Sequence, residues 1–240
     1  MAYEMHFGPV LARAPEFVNG ATNTILLSGQ GIAIGLTLGL AVAILRVDGP
    51  KPIRPLVATY VEIFRNTPLL VQVFLIFFGL PYIGLRLSAN AAAVIAISFN
   101  LGAYSAEIFR AGLLAIPRAQ IEAGLALGMS RVQVIRHVVI VPALRVIFPA
   151  LTGQLTLTLL GSSIVSAISA QELTLAASKV ESLTFRSLET FLVAAVLYIS
   201  LTFLFRFVYW LISLWLFRRT PAEAVRLPEP KFVEPRRAEA

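Results

Sequence analysis

Residues 20–45 read GATNTILLSGQGIAIGLTLGLAVAIL, 26 consecutive positions without a charged side chain. At 1.5 Å of rise per residue a helix of that length spans about 39 Å, enough to cross the roughly 30 Å hydrocarbon core of a bilayer. Outward from this stretch, long apolar runs recur at 56–83, 91–113, 142–168 and 188–217. Of the 240 residues 58% are hydrophobic and only 14% charged, against about 25% charged in soluble domains. Inside lipid every backbone N–H and C=O must be bonded within the protein, which leaves helices and closed barrels, and these runs far exceed the roughly 10 residues of a barrel strand. The sequence therefore predicts an all-α integral membrane helical bundle of about five transmembrane helices, one domain over 20–217, preceded by a segment 1–19.

The net charge is +7 at pH 7, yet the basic residues collect at the ends of the apolar runs instead of forming a nucleic-acid patch. Arg46, Lys51 and Arg54 follow the first run, Arg110, Arg118, Arg131, Arg136 and Arg145 flank the third and fourth, and Arg218, Arg219, Arg226, Lys231, Arg236 and Arg237 follow the fifth. The opposite side carries Arg13, Arg86, Lys179 and Arg186, a bias of fourteen to four. Under the positive-inside rule this predicts a multi-pass inner-membrane protein with segment 1–19 in the periplasm and the C-terminus in the cytoplasm. The stretch 218–240 mixes charges with Pro221, Pro228, Pro230 and Pro235, cannot bury a core, and is expected to be a disordered cytoplasmic tail. Arg206 interrupts the fifth run. Either it faces the bundle interior, or the span ends near it and 207–217, with Trp210 and Trp215, lies along the interface.

Several functions are excluded by what the chain lacks. There is no cysteine, and His6 and His137 are the only histidines, so neither a disulfide nor a metal site is expected. None of the lysines (Lys51, Lys179, Lys231) follows a glycine, so no Gly-x-x-x-x-Gly-Lys phosphate loop exists. The chain is expected to need no cofactor and to hydrolyse no ATP itself. No basic region followed by a short apolar run opens the sequence, so no cleaved leader is expected.

The loop from Ala115 to Val141 is longer than most helix connections and is expected to carry structure of its own. Pro117 suits the first turn of a helix through Arg118 to Leu127, Gly128 suits a left-handed stop, and Ser130 with Gln133 forms a capping-box signature for a second short helix. Gly124 and Gly128, four apart among Ala119, Ala123 and Ala126, leave a surface of low bulk beside Glu122, either for packing on its own bundle or for close approach of another chain.

The run Ile121-Glu122-Ala123-Gly124-Leu125-Ala126-Leu127-Gly128, followed by Pro142-Ala143-Leu144-Arg145, resembles the EAA loop of ABC importer permeases, with Gly124 where the family usually has Ala and Pro142 one residue late. Further motifs resemble the polar amino acid branch of that family: Phe64-Arg65-Asn66-Thr67-Pro68-Leu69-Leu70-Val71-Gln72, Tyr104-Ser105-Ala106-Glu107-Ile108-Phe109-Arg110-Ala111-Gly112, Ile116-Pro117, and Ser162-Ser163-Ile164-Val165-Ser166-Ala167-Ile168. The resemblance implies a type I transmembrane domain whose coupling helix, with Ala119, Glu122, Ala123, Gly124 and Gly128, docks on an ATPase subunit. It also implies an ATPase dimer that binds the ATP, a second permease copy or paralogue, a periplasmic solute-binding protein, and a polar amino acid as the solute.

Within the spans, Asn100, Tyr104 and Glu107 recur at helical spacing and Thr156, Ser162, Ser163 and Ser166 form a polar stretch. They are candidates for a solute path, although Ser and Thr also serve as packing residues. Glu62 with Arg65 and Glu107 with Arg110 are three apart and expected to pair as structural charges. Gly35 and Gly39 mark a packing seam. An ion-coupled secondary transporter would commonly show inverted repeats, which are not evident, and a non-transporting scaffold would leave the polar stretches as mere packing.

Overall fold

The computed structural model describes residues 4–217, and no strand occurs among them. Helix α1 (Gly8–Leu11) leads into α2 (Ala14–Asp48), then α3 (Ile53–Arg65) and α4 (Leu69–Phe74), which continues through a π segment and a 3-10 turn to Ile83. Next come α5 (Ala89–Leu114), α6 (Arg118–Ala126), α7 (Arg131–Gln133) running through a π segment into α8 (Ile140–Gly161), a 3-10 stretch Ser162–Ile168, α9 (Leu173–Thr184) and α10 (Ser187–Phe217). Among the described residues four helices are long and apolar enough to cross a membrane, or five if the bent pair α3 and α4 is one span.

The centre of the bundle is the seam between α2 and α5. Gly31, Gly35 and Gly39, one turn apart on α2, face Ile97, Leu101 and Ser105, one turn apart on α5. A Cβ on Gly35 would lie 2.9 Å from the Leu101 Cβ, and one on Gly39 would overlap Ser105 Oγ and stand 2.9 Å from the Gly102 carbonyl. Without a hydrophobic drive between helices in lipid, such close approach is what holds them. One buried cluster (Leu27, Val73, Ala93, Ile97, Val165, Ile168) joins α4 and the 3-10 stretch to this seam. A second (Val10, Phe17, Leu159, Leu173, Val180, Leu201) packs α1, α9 and α10 at the other flank.

Two sequence expectations are corrected, and two features were not foreseen. The run 56–83 is not one straight helix: it bends by 109° between α3 and α4, because Pro68 has no N–H and holds Thr67 out of helical geometry. The second short helix of the loop does not stand alone. It leads into α8 through Val134–Val139, since no Gly or Pro intervenes between Gln133 and Ile140 to stop it. An additional helix, α9, lies between the fourth and fifth runs, capped by Glu172, whose carboxylate accepts from Thr174 N (2.7 Å) and Leu175 N (2.6 Å). The expected segment 1–19 is partly helical, with Val10 and Phe17 buried. At Arg206 the helix is unbroken to Phe217, and the arginine lines a cavity of about 650 Å³ between α8 and α10 with Thr152, Thr156, Tyr209 and Trp210. The expected tail 218–240 lies outside the described residues.

Candidate functional site

Two places bring the candidate residues together. The first is the loop helix α6. Pro117 stands just before it with extended backbone, one position earlier than its expected place in the first turn. Gly128 ends it at φ 80°, with Met129 N donating to Gly124 O (3.2 Å) and Gly128 N to Leu125 O (3.0 Å), the left-handed wrap that glycine enters without a Cβ penalty. Ser130 then starts α7 with a reciprocal box: Gln133 N donates to Ser130 Oγ and Ser130 N to Gln133 Oε1, 2.8 Å away. Helix and turn are thus fixed at both ends. Ala119, Glu122, Ala123 and Gly128 are exposed, but Gly124 is turned inward, where a Cβ would lie 3.1 Å from Val134 Cγ2. Its lack of bulk serves the chain's own packing. Beside the exposed residues stand Leu127, 83% exposed, and Val132, 73% exposed. The sequence reading missed both, although large apolar residues flanking a turn were the available signal.

The second place is the break between α3 and α4. A helix end inside an apolar bundle must satisfy its last four carbonyls, and side chains do so here. Asn66 Nδ2 donates to Glu62 O (2.8 Å), Thr67 Oγ1 to Ile63 O (2.8 Å), Gln72 Nε2 to Phe64 O (2.8 Å) and Tyr104 OH to Arg65 O (3.2 Å). Gln72, only 5% exposed, also accepts from Asn100 Nδ2 at 3.0 Å, so the motif residues of α3, α4 and α5 form one knot. Next to it is a cavity of about 280 Å³ lined by Thr67, Pro68, Leu69, Ile97, Asn100, Tyr104, Gln154, Leu157 and Thr158. That is at the small end of ligand pockets.

The seven residues expected along a solute path are therefore split. Asn100 and Tyr104 line this cavity, and Thr156 lines the neighbouring one with Arg206. Ser162, Ser163 and Ser166 donate to carbonyls three residues back, satisfying their own 3-10 stretch. Glu107 is bound to Arg110 at 2.7 Å and also to Arg46 of α2, a partner that linear spacing does not reveal. Glu62 and Arg65 do not pair: the Glu62 carboxylate accepts from Asn66 Nδ2 at 3.1 Å, while the Arg65 guanidinium lies 5.6 Å from the centre of the Tyr104 ring. The helix ends at Arg65 itself, and that break redirects both side chains. Gln154 and Thr67 are lining residues that the sequence reading did not single out. Among the described residues no group of three or more His, Asp or Glu could hold a metal.

Residues 31–218 match the family described as binding-protein-dependent transport system inner membrane component. The chain is 37% identical over 196 residues to the glutamine transport system permease protein GlnP of Escherichia coli K12, covering 81% of this chain and 90% of that one. It is 37% identical over 225 residues to the octopine transport system permease protein OccM of Rhizobium meliloti (88% and 91% covered). Among solved structures, an amino acid ABC transporter crystallised with histidines matches with a TM-score of 0.80 at 35% identity, over 88% of this chain and 98% of that one. The inward-facing MetNI methionine transporter shares the fold, with a TM-score of 0.65 at 22% identity over 88% of this chain and 99% of that one.

Proposed function

The chain belongs to the binding-protein-dependent transport system inner membrane components, and on that footing we propose that it is the membrane-spanning permease subunit of an ATP-driven ABC importer for a polar amino acid. ATP is bound and hydrolysed by a separate ATPase dimer, a periplasmic solute-binding protein delivers the solute, and a second permease copy or paralogue completes the pathway. The charge bias orients α6 to the cytoplasm and α9 to the periplasm. The observation that carries this reading is α6 with the turn after it: a short helix outside the spans presenting Ala119, Glu122 and Ala123 to solvent, with Leu127 of the turn and Val132 of α7 beside them. The Gly128 turn joins it to α7, which runs on into α8, so a force on this surface reaches the wall of the 280 Å³ cavity through Gln154, Leu157 and Thr158. Gly124 supports the turn instead of contacting the ATPase.

The test is uptake of radiolabelled amino acids into proteoliposomes holding the chain, its co-expressed ATPase and binding protein. Glu122→Arg and Gly128→Trp should abolish ATP-dependent uptake and release the ATPase while far-UV dichroism of the bundle is unchanged. Uptake without ATP or ATPase would overturn the proposal in favour of a secondary transporter.

A further inference from the structure

We propose that the cavity between α8 and α10 seats an anionic phospholipid of the cytoplasmic leaflet, with Arg206 holding its phosphate and an acyl chain lying along α10. The proposal stands apart from the importer reading, since it needs only that the chain spans a bilayer in the orientation of its charge bias. Glu189 and Arg206 are the only charged residues of α10, and Glu189 is wholly buried near the other end of the helix. Arg206 stands nineteen positions after Ser187, about 28 Å along the axis, which brings it to the cytoplasmic edge of a hydrocarbon core about 30 Å thick. Tyr209 and Trp210 follow at the level where amphipathic rings collect. Among the described residues no carboxylate lies within ion-pair reach of Arg206, and no acidic residue lines the cavity. A cation at that depth without a counter-charge is expensive, and a ligand that brings the charge removes the expense.

The cavity suits a headgroup. Its volume of about 650 Å³ falls within the range of ligand sites. Thr152 Oγ1 donates to Pro149 O and Thr156 Oγ1 to Thr152 O, so both oxygens keep lone pairs for a headgroup hydroxyl. The Tyr209 hydroxyl is buried with no hydrogen-bond partner among the described residues, a spare donor in the same wall. Gly153 has nothing within 4 Å of the place a Cβ would occupy, which leaves the α8 backbone open to close approach. From this cavity a strip runs along α10: Val196, Ile199, Phe203, Phe207 and Trp210, spaced three or four apart, are each more than half exposed. The strip is about 21 Å long, against roughly 15 Å for the hydrocarbon of one leaflet, so an acyl chain can lie on it while its phosphate stays at Arg206. A second copy of the chain is the other candidate for such a strip. An isologous contact would set this face against itself, and α8 and α10 carry no acidic residue except the buried Glu189, so each Arg206 would be covered without a counter-charge. A phosphate diester supplies that charge and accepts the paired N–H groups of the guanidinium, as basic pockets between spans do for acidic headgroups.

Trp210 and Trp215 are the only tryptophans of the chain, so the lipid can be read by fluorescence quenching. The full chain with Trp215→Phe is reconstituted in phosphatidylcholine vesicles holding a small, equal fraction of either brominated phosphatidylglycerol or brominated phosphatidylcholine. Phosphatidylglycerol should be preferred at Trp210 about fivefold, as expected for one arginine at the membrane surface. Arg206→Gln, and Gly153→Leu, which fills the cavity and keeps the charge, should each remove the preference. Glycerol 1-phosphate added in solution should leave the quenching unchanged. Because the chain has no cysteine, Phe203→Cys tests for a second copy on the strip, and it should stay free of disulfide-linked dimers under mild oxidation. Equal quenching of Trp210 by the two lipids overturns the proposal even if Arg206→Gln fails to fold, and so does a preference that survives in either folded variant. A preference of the same size at Trp215 in the Trp210→Phe chain would mean diffuse attraction by the basic residues after Phe217, relief by glycerol 1-phosphate a soluble anion, and ready dimer linkage through position 203 a protein partner; each of these overturns the lipid seat.

Discussion

Replacing Gly39 by alanine adds one methyl group, and the structure says where it goes: onto Ser105 Oγ, 2.9 Å from the Gly102 carbonyl and 3.0 Å from the Ala106 nitrogen. The side chain can rotate away. The two backbone atoms cannot, so α2 and α5 must part along the seam that centres the bundle. Overpacking a tight core costs about 1–3 kcal/mol, and backbone contact places Gly39→Ala near the top of that range. Against it stands the helix propensity gained, about 0.5–1 kcal/mol for alanine over glycine. The net expectation is a loss of about 2 kcal/mol.

Gly29 supplies the control, being on the same helix with nothing within 4 Å of the place a methyl would occupy. Gly29→Ala should gain about 0.5–1 kcal/mol. The two variants thus differ by about 3 kcal/mol, roughly a hundredfold in the unfolding equilibrium. Titrating the detergent-solubilised protein with SDS and following helicity by far-UV dichroism reads this directly. If Gly39→Ala unfolds at the same or a higher SDS fraction than Gly29→Ala, the seam is not what holds α2 to α5.

Three further outcomes are expected. Glu107→Gln leaves Arg46 and Arg110 facing each other and should cost about 3–5 kcal/mol, toward the low end because the Glu107 side chain keeps 18% exposure; Arg110→Gln should cost less because Arg46 still neutralises the carboxylate, and SDS titration orders the pair. Ser130→Ala removes one half of the reciprocal box at α7 and should cost about 0.5–2 kcal/mol, read as earlier proteolytic cutting at the 127–131 turn with the spans intact. Burial pushes the Glu172 carboxyl above its ordinary value of 4.5, so the folded state holds its proton more tightly than the unfolded chain. That contribution to stability is full below pH 4.5, falls as pH rises through the raised value, and is flat above it; Glu172→Gln should flatten that decline in melting temperature measured from pH 4 upward, and an unchanged slope would assign it to another group.

How far the sequence carried depended on whether a feature was local. Gly128 as a left-handed stop and Ser130 with Gln133 as a box were legible because each is satisfied within a few residues of itself. The spans were legible as apolar length, but not the bend at Asn66–Pro68, since 56–83 reads as one apolar run of spanning length. Pro68 was the signal available for a break. What made a break tolerable there was distant: Tyr104, on another helix, supplies the donor for Arg65 O, and Gln72, eight residues on, supplies the one for Phe64 O. The same distance concealed the charges. Spacing of three residues suggested two equal pairs, yet Glu107 recruits Arg46 from α2 while Glu62 turns to the Asn66 that ends its helix.

These two departures from expectation have one physical origin. Breaking a helix inside lipid requires donors for its free carbonyls, and the residues that supply them, Asn66, Thr67, Gln72 and Tyr104, are by necessity polar and gathered at one level of the bundle. Two of them, Thr67 and Tyr104, also line the adjoining cavity together with Asn100 and Gln154. A bundle that closed this break with a straight helix would lose the cavity's polar rim. The interruption is therefore what places a polar-lined cavity between otherwise apolar spans. Restoring helix continuity, for example by Pro68→Ala with Thr67→Leu, should stabilise α3 and α4 while abolishing ATP-dependent amino acid uptake in the reconstituted system. A more stable protein with undiminished uptake would separate the break from transport.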